Sequence, residues 1–404
     1  MRKSKPIAVM VQLGKRLLPL VAGAAILSLT GCWDSDEVNS LAIVVSAGFD
    51  RTEDGDIELI LEIVAPEQKQ SGKPPSGDQK KGDGKTIIRY AVGDTVADAQ
   101  GRLQFKLPRT IYWGQLQVLV VGESLARDGF REQLDYLVRD NEIRLRVVPF
   151  VTHGKVREFF ESPFLLEQTK ADFLKGEAAR VFHKPLTISR LVQRLSTNDN
   201  AAILPFVDVP QNGGDGGGEP YIKGYAVFNR GRMVGTMTGN SFFAAKWVMN
   251  QLKNDVQTVD LGIGSPSRVT FITIASNSRL IPSRKKGEWQ MMIRVDSELS
   301  MIQNTSRLDM ADPANARLLE AAVAKRIREM VKQTVHDAQR MHADIFAFGE
   351  AINRENPRGW SKLEPHWKSF YPGMEVRVEA GVNLRRIGMN STPLGQQQKE
   401  LTKP

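Results

Sequence analysis

Positions 312–345 read DPANARLLEAAVAKRIREMVKQTVHDAQRMHADI, and this stretch decides the fold of the second half of the chain. Leu319, Val323, Ile327, Met330, Thr334, Ala338, Met341 and Ile345 recur at steps of three or four, the spacing of one helix face. Asp312 before Pro313 supplies an N-cap and then a proline at the first helical position. The spacing predicts a helix of about 30 residues, near 45 Å long. Lys325, Arg328, Lys332 and Asp337 fall on the opposite side, which reads as a solvated face. Before the helix, residues 268–279 and 288–302 alternate as strands, broken at 282–287. After it, residues 375–385 set Val376, Val378, Ala380 and Val382 against charged or polar neighbours. Three strands and one long helix predict an antiparallel sheet with the helix packed across it.

The first half mixes strands and helices. LAIVVSAGFD and DIELILEIVA, separated by the turn-rich RTEDG, read as a hairpin over 41–65. Residues 86–91 alternate as a strand, 95–107 read as a helix, and QLQVLVV (115–121) reads as a buried strand. One helix is expected over 125–140 with Phe130, Leu134, Leu137 and Val138 on its apolar face, then a strand over 143–152. YIKGYAVFNRGRMVGT (221–236) reads as two strands around Asn229-Arg230-Gly231. The fold class is therefore α/β (α+β), multi-domain, with mixed and antiparallel sheets and flanking helices. Residues 66–85 and the half-glycine run QNGGDGGGEP (211–220) are loops by composition. The expected divisions are a signal peptide at 1–31, an N-terminal domain at 32–206, a glycine-rich linker at 207–220, a C-terminal region at 221–389 in two subdomains (221–263 and 264–389), and a polar tail at 390–404.

The chain has 404 residues, 41% hydrophobic and 25% charged, with a net charge of +9 and one cysteine. That composition excludes collagen-like, disordered and polytopic membrane chains. A single thiol excludes an intramolecular disulfide and a cysteine-based zinc cage. None of the five histidines stands in a metal-binding pattern; His336 and His342 share the long helix but are six residues apart, on different sides of the axis. No GxSxG elbow occurs. Gly84-Lys85-Thr86 matches the end of a phosphate-binding loop, but Gln79 stands where its first glycine belongs, and the run 213–218 has no phosphate-contacting lysine. Two acid pairs, Asp344 with Glu350 and Glu375 with Glu379, are the candidates for catalysis; the second has the pattern of an exposed face. Trp360, Trp367, Phe370 and Tyr371 cluster near the end of the chain as core or interface, with a sugar platform the open alternative. No basic patch interleaved with aromatics indicates nucleic acid.

The N-terminus carries the strongest chemical signal. Arg2, Lys3, Lys5, Lys15 and Arg16, with no acid before residue 31, precede the apolar run 17–29. At about 20 Å that run is too short for a hydrocarbon layer of roughly 30 Å, so it reads as a signal peptide. It ends in Leu29-Thr30-Gly31-Cys32, with the lone cysteine last. This is similar to the bacterial lipobox: small residues admit a signal peptidase that cuts between Gly31 and Cys32, and the Cys32 thiol accepts a diacylglyceryl group. An N-acyl chain such as palmitate on the freed amine is a further option. Two or three chains hold a protein stably on a membrane. Removing residues 1–31 takes five basic side chains and lowers the charge to +4.

Gly31-Cys32-Trp33-Asp34, then Glu37, Asn39, Leu41, Ala42 and Gly48-Phe49-Asp50, resemble the C subunits of bacterial spore germinant receptors, the Ger(x)C lipoproteins. The likeness continues through Arg109-Thr110-Ile111-Tyr112-Trp113, Val120-Val121-Gly122-Glu123, Leu125-Ala126, Gly129 and Arg139-Asp140. It resumes at Lys223-Gly224-Tyr225-Ala226-Val227-Phe228 with Met233-Val234-Gly235, and closes on Asp344-Ile345-Phe346-Ala347-Phe348-Gly349, Trp360, Trp367 and Phe370. It spans about residues 29–389. Gln115 departs from a frequent histidine and Ala347 from a frequent glycine. The resemblance implies a three-domain α/β subunit without an enzymatic site or cofactor, lipid-anchored at the outer face of the inner spore membrane. It implies integral membrane A and B subunits as partners in a response to nutrient germinants, with no nucleic acid; contact with the germinant itself is left open. The alternatives are a solute-binding lipoprotein of a transporter, whose two lobes would be parallel α/β, and an anchored envelope hydrolase, which needs a nucleophile, metal set or acid pair.

Overall fold

The computed structural model describes residues 38–65, 86–164, 167–196, 201–210, 218–252, 254–262, 267–306 and 308–388. A short 3-10 turn, Val38–Ser40, leads into β1 (Leu41–Arg51) and β2 (Ile57–Val64), which form the expected antiparallel hairpin. There follow β3 (Thr86–Gly93), α1 (Val96–Gln104), β4 (Thr110–Tyr112), β5 (Val118–Gly122), α2 (Glu123–Asp128), α3 (Arg131–Arg139), β6 (Val148–Thr152), α4 (Val156–Glu161), α5 (Lys170–Val181), α6 (Ile188–Ser196), β7 (Ala201–Asp208), β8 (Tyr221–Asn229) and β9 (Arg232–Thr238). These strands make one nine-stranded sheet in the order β3-β2-β1-β5-β6-β7-β8-β9, with β4 beside the start of β1. The strands β1, β5, β6 and β7 run parallel and the outer pairs antiparallel. β5 (VLVVG) is buried at every position, the pattern of a strand covered on both faces. Apolar residues of α1, α2, α3 and α6 pack on one face and those of α4, α5 and the next helix, α7 (Gly239–Val248), on the other.

Two buried carboxylates tie the hairpin to the helices. Asp50 accepts hydrogen bonds from the backbone N–H of Arg51 (2.9 Å) and of Val156 (2.8 Å), the first residue of α4. Burial pushes its pKa up, against the pull of those two bonds. Glu62, fully buried, accepts from Ser46 Oγ (2.5 Å), Thr86 Oγ1 (3.0 Å), and the N–H groups of Lys170 (2.8 Å) and Ala171 (3.3 Å) at the start of α5. Each acid thus satisfies helix-terminal donors that have no partner within their own helix.

The second sheet consists of β10 (Val256–Asp260), β11 (Arg268–Lys285), β12 (Glu288–Asn304) and β13 (Glu375–Arg386), in that order. Between β12 and β13 come α8 (Pro313–Arg340), α9 (Phe348–Glu355), α10 (Pro357–Leu363) and α11 (Trp367–Phe370). Asp312 caps α8 through a 2.8 Å bond from the Ala314 N–H, as its sequence indicates. Leu319, Val323, Ile327, Val331 and Val335 are buried against the sheet, each contributing roughly 2 kcal/mol by removal from water. Lys325, Arg328 and Lys332 point to solvent. The core is continuous from α4 and α5 through α7 to the second sheet, so α7 is the wedge that both sheets share.

Several expectations are corrected. The last strand runs parallel to β12, since α8 and the short helices carry the chain back to the end where β12 began. The expected linker at 207–220 joins adjacent strands of one sheet, β7 and β8, which pair through Asp208 and Tyr221. The division at 263/264 likewise falls between the hydrogen-bonded β10 and β11, and the change of sheet occurs at α7. The single helix over 125–140 is two, broken at Gly129, whose φ of 103° is glycine's region and whose missing Cβ would sit 3.3 Å from the Gly231 carbonyl. Val138, expected on the buried face, is exposed. The break at 282–287 shrinks to Lys286-Gly287, both at positive φ, the geometry of a two-residue hairpin turn. The strand over 143–152 begins only at Val148, and α8 ends at Arg340, leaving Met341 and Ile345 in the loop beyond.

Candidate functional site

Cys32 and Gly31 lie outside the described residues, as do the Gly84-Lys85 pair and the run 211–217. What the fold does place is the segment that follows the expected anchor: β1 starts at Leu41 and runs into the middle of the large sheet.

A cleft of about 480 Å³ opens where β7, β8 and α6 meet the loop after α8. The α6 segment ISRLVQRLS puts Ile188 and Leu191 into the core and leaves Arg190, Gln193 and Arg194 toward the cleft. Arg194 Nη1 lies 3.3 Å from Glu350 Oε1 of α9, an ion pair that links the first region of the chain to the last. Phe182 and Tyr225 line the cleft's inner wall, stacked with centroids 5.3 Å apart; Phe242, outside the lining, meets Tyr225 edge-on at 5.0 Å. Burial pushes the Tyr225 phenol far above its ordinary range.

Asp344, in the loop between α8 and α9, is buried and lines a separate, smaller cavity with Asn229, Met341, His342, Trp367 and Tyr371; it accepts hydrogen bonds from the N–H groups of Phe348 (2.9 Å) and Gly349 (2.8 Å), the first turn of α9. Burial pushes its pKa up to about 6, while those two bonds and the charge of Arg194 hold it down and Glu350 adds to the rise. Between them Ala347 sits in the left-handed region at φ 61°. That conformation suits the glycine expected at this position and strains the alanine that stands there. Asp344 is thus a buried helix cap, and Glu350 an ion-pair partner on the rim of the cleft.

The other candidates resolve into structure. Glu375 pairs with Arg377 (2.9 Å) and Glu379 with Arg294 (2.8 Å) on the exposed face of the second sheet. Trp360 and Trp367 meet edge-on at 5.2 Å and Trp367 lies 5.6 Å from Tyr371, all three buried, which makes them core. His153 Nδ1 lies 2.8 Å from Glu123 Oε2; burial raises the Glu123 carboxyl, but the bonds from Arg127 and His153 outweigh it and hold it below its ordinary range. Among the described residues no group of three or more His, Cys, Asp or Glu side chains is placed to hold a metal, and no helix is long and apolar enough to cross a membrane. The cleft residues on α6 escaped the sequence reading, which assigned no element between 153 and 206; the recurrence of Ile188, Leu191, Val192 and Leu195 with arginines opposite was the available signal.

Residues 34–209 match the family described as spore germination protein N-terminal domain, and residues 223–388 the family described as spore germination B3/GerAC like, C-terminal. Among curated proteins the chain is 27% identical over 381 residues to YfkR of Bacillus subtilis, covering 93% of this chain and 97% of that protein. It is 25% identical to spore germination protein KC of the same organism, covering 96% and 99%. Among solved structures, the GerBC protein matches with a TM-score of 0.54 and 21% identity over 84% of this chain and 97% of that one, a likeness of fold. With both of its regions matched, the chain belongs to the Ger(x)C family of spore germination proteins.

Proposed function

We propose that this chain is the C subunit of a nutrient germinant receptor, tethered by lipid on Cys32 to the outer face of the inner spore membrane and acting with integral membrane A and B subunits. The observation that carries the reading is the pairing of two germination-family regions with a lone cysteine placed directly after a short signal-like apolar run. The two regions share one sheet and one core, so a force or contact at either reaches the other through α7 and the Arg194–Glu350 pair. The proposal gives the subunit no reaction of its own. Purification from spore membranes tests it: integral membrane A and B subunits are expected to accompany the chain, and Cys32 is expected as the first residue carrying a diacylglyceryl thioether. Recovery of the chain alone, with residues 1–31 attached, would oppose it.

A further inference from the structure

Phe105 is 94% exposed, the most exposed of the large hydrophobic side chains described. It is also firmly presented. Its N–H bonds to the Gly101 carbonyl, the next two N–H groups bond to Leu103 and Gln104, and the Gln104 side chain donates to the Arg109 carbonyl (2.8 Å) and accepts from the Ile111 N–H (2.9 Å). A rigid turn, Phe105-Lys106-Leu107-Pro108-Arg109, therefore holds an aromatic ring in water.

The location of that turn supplies a reason. It leads into β4, whose Thr110 pairs with Leu41, the first residue of β1. From Cys32 to Leu41 the chain spans nine residues, about 32 Å at most when fully extended. The parallel strands β5 and β6 begin at this same end, and the loop before β6 presents Arg144, Leu145 and Arg146 to solvent, Leu145 being 39% exposed. Lys106, Arg109, Arg144 and Arg146 form no ion pair with another described residue. The same loop carries two acids, Glu142, which accepts from the Trp113 N–H, and Asp140, which accepts from the Glu142 N–H, against these four cations. An exposed ring and an exposed leucine, each flanked in the sequence by unpaired cations and both at the end where β5 and β6 begin, suit an interface whose surface is anionic and whose interior is apolar.

We propose that this end of the body is a second membrane contact, in which Phe105 enters the headgroup boundary of an anionic bilayer while Lys106, Arg109, Arg144 and Arg146 meet lipid phosphates. The inference rests on Cys32 as the anchor for the orientation of the body. It is tested in the full chain in its own membrane, with the photo-crosslinking residue p-benzoylphenylalanine at position 105 or, for comparison, at position 54 in the β1–β2 turn at the opposite end of the strands. Lipid adduct at 105 is expected to exceed that at 54 about tenfold, and to fall about fivefold with each of Lys106→Gln and Arg109→Gln. Equal adduct at the two positions overturns the proposal, as does an adduct at 105 that is protein instead of lipid. The mass of the Cys32 peptide from the same sample separates this result from the anchor. A lipidated Cys32 without lipid adduct at 105 removes the second contact alone, and an unmodified Cys32 with that adduct removes the anchor alone.

Discussion

The two sheets of this molecule are covered in different ways. The nine-stranded sheet is sandwiched between helices, and its helices are fastened by carboxylates buried in the strands. The four-stranded sheet has α8 on one face and leaves the other to solvent, dressed with charge pairs such as Arg294–Glu379 and Arg385–Glu298. Polar groups carry structure in the first sheet and decorate it in the second. The reason is desolvation: a buried carboxylate must be matched by donors, and its removal strands those donors, whereas an exposed pair exchanges its partner for water.

That contrast orders the effects of substitution. Glu62→Ala leaves two helix N–H groups and two hydroxyls without their acceptor and is expected to cost about 4 kcal/mol, read as a large fall in the urea midpoint; a change near zero would break the comparison. Asp344→Asn probes a cap of the same kind in the second region, through pH. The folded pKa of Asp344 is raised to about 6 from an ordinary value of 3.8. Between those values the folded state binds more proton than the unfolded one, so this group's stabilising contribution is present at the acid end and is lost as pH rises through 6. Wild type should therefore lose about 2 kcal/mol relative to Asp344→Asn between pH 4 and pH 7. A constant difference across that range contradicts the assigned shift.

Smaller changes sharpen the same contrast. Ala347→Gly relieves a left-handed alanine at the cost of a freer unfolded chain, and should stabilise the protein by about 0.5 kcal/mol; calorimetry showing a lower midpoint would mean that the Ala347 methyl packs better than its backbone suffers. Arg294→Gln, on the solvated face, should leave the midpoint unmoved within error. A clear loss there would mean that the charge ladder fastens the second sheet as the carboxylates fasten the first.

Legibility in the sequence follows the same division. β11 and β12 bury alternate residues along much of their length, β13 half-buries them, and α8 repeats at helical steps, so the period of the apolar residues exposes both. The direction of β13 was not legible, because alternation is the same for parallel and antiparallel neighbours. α4 and α5 depend on Asp50 and Glu62, which lie 106 and 108 residues earlier, a relation that no local window contains. The cleft was hidden for the same reason: Arg194 and Glu350 come from distant segments. The proposed lipid anchor, by contrast, rests on a local pattern of charge, apolar length and one cysteine that is read from the sequence alone.

The most direct test of the receptor reading is germination of spores that lack this chain. Loss of dipicolinate release in response to the nutrients recognised by its own A and B partners, with other receptors' nutrients still effective, is the predicted result. Normal germination with every one of those nutrients would contradict it.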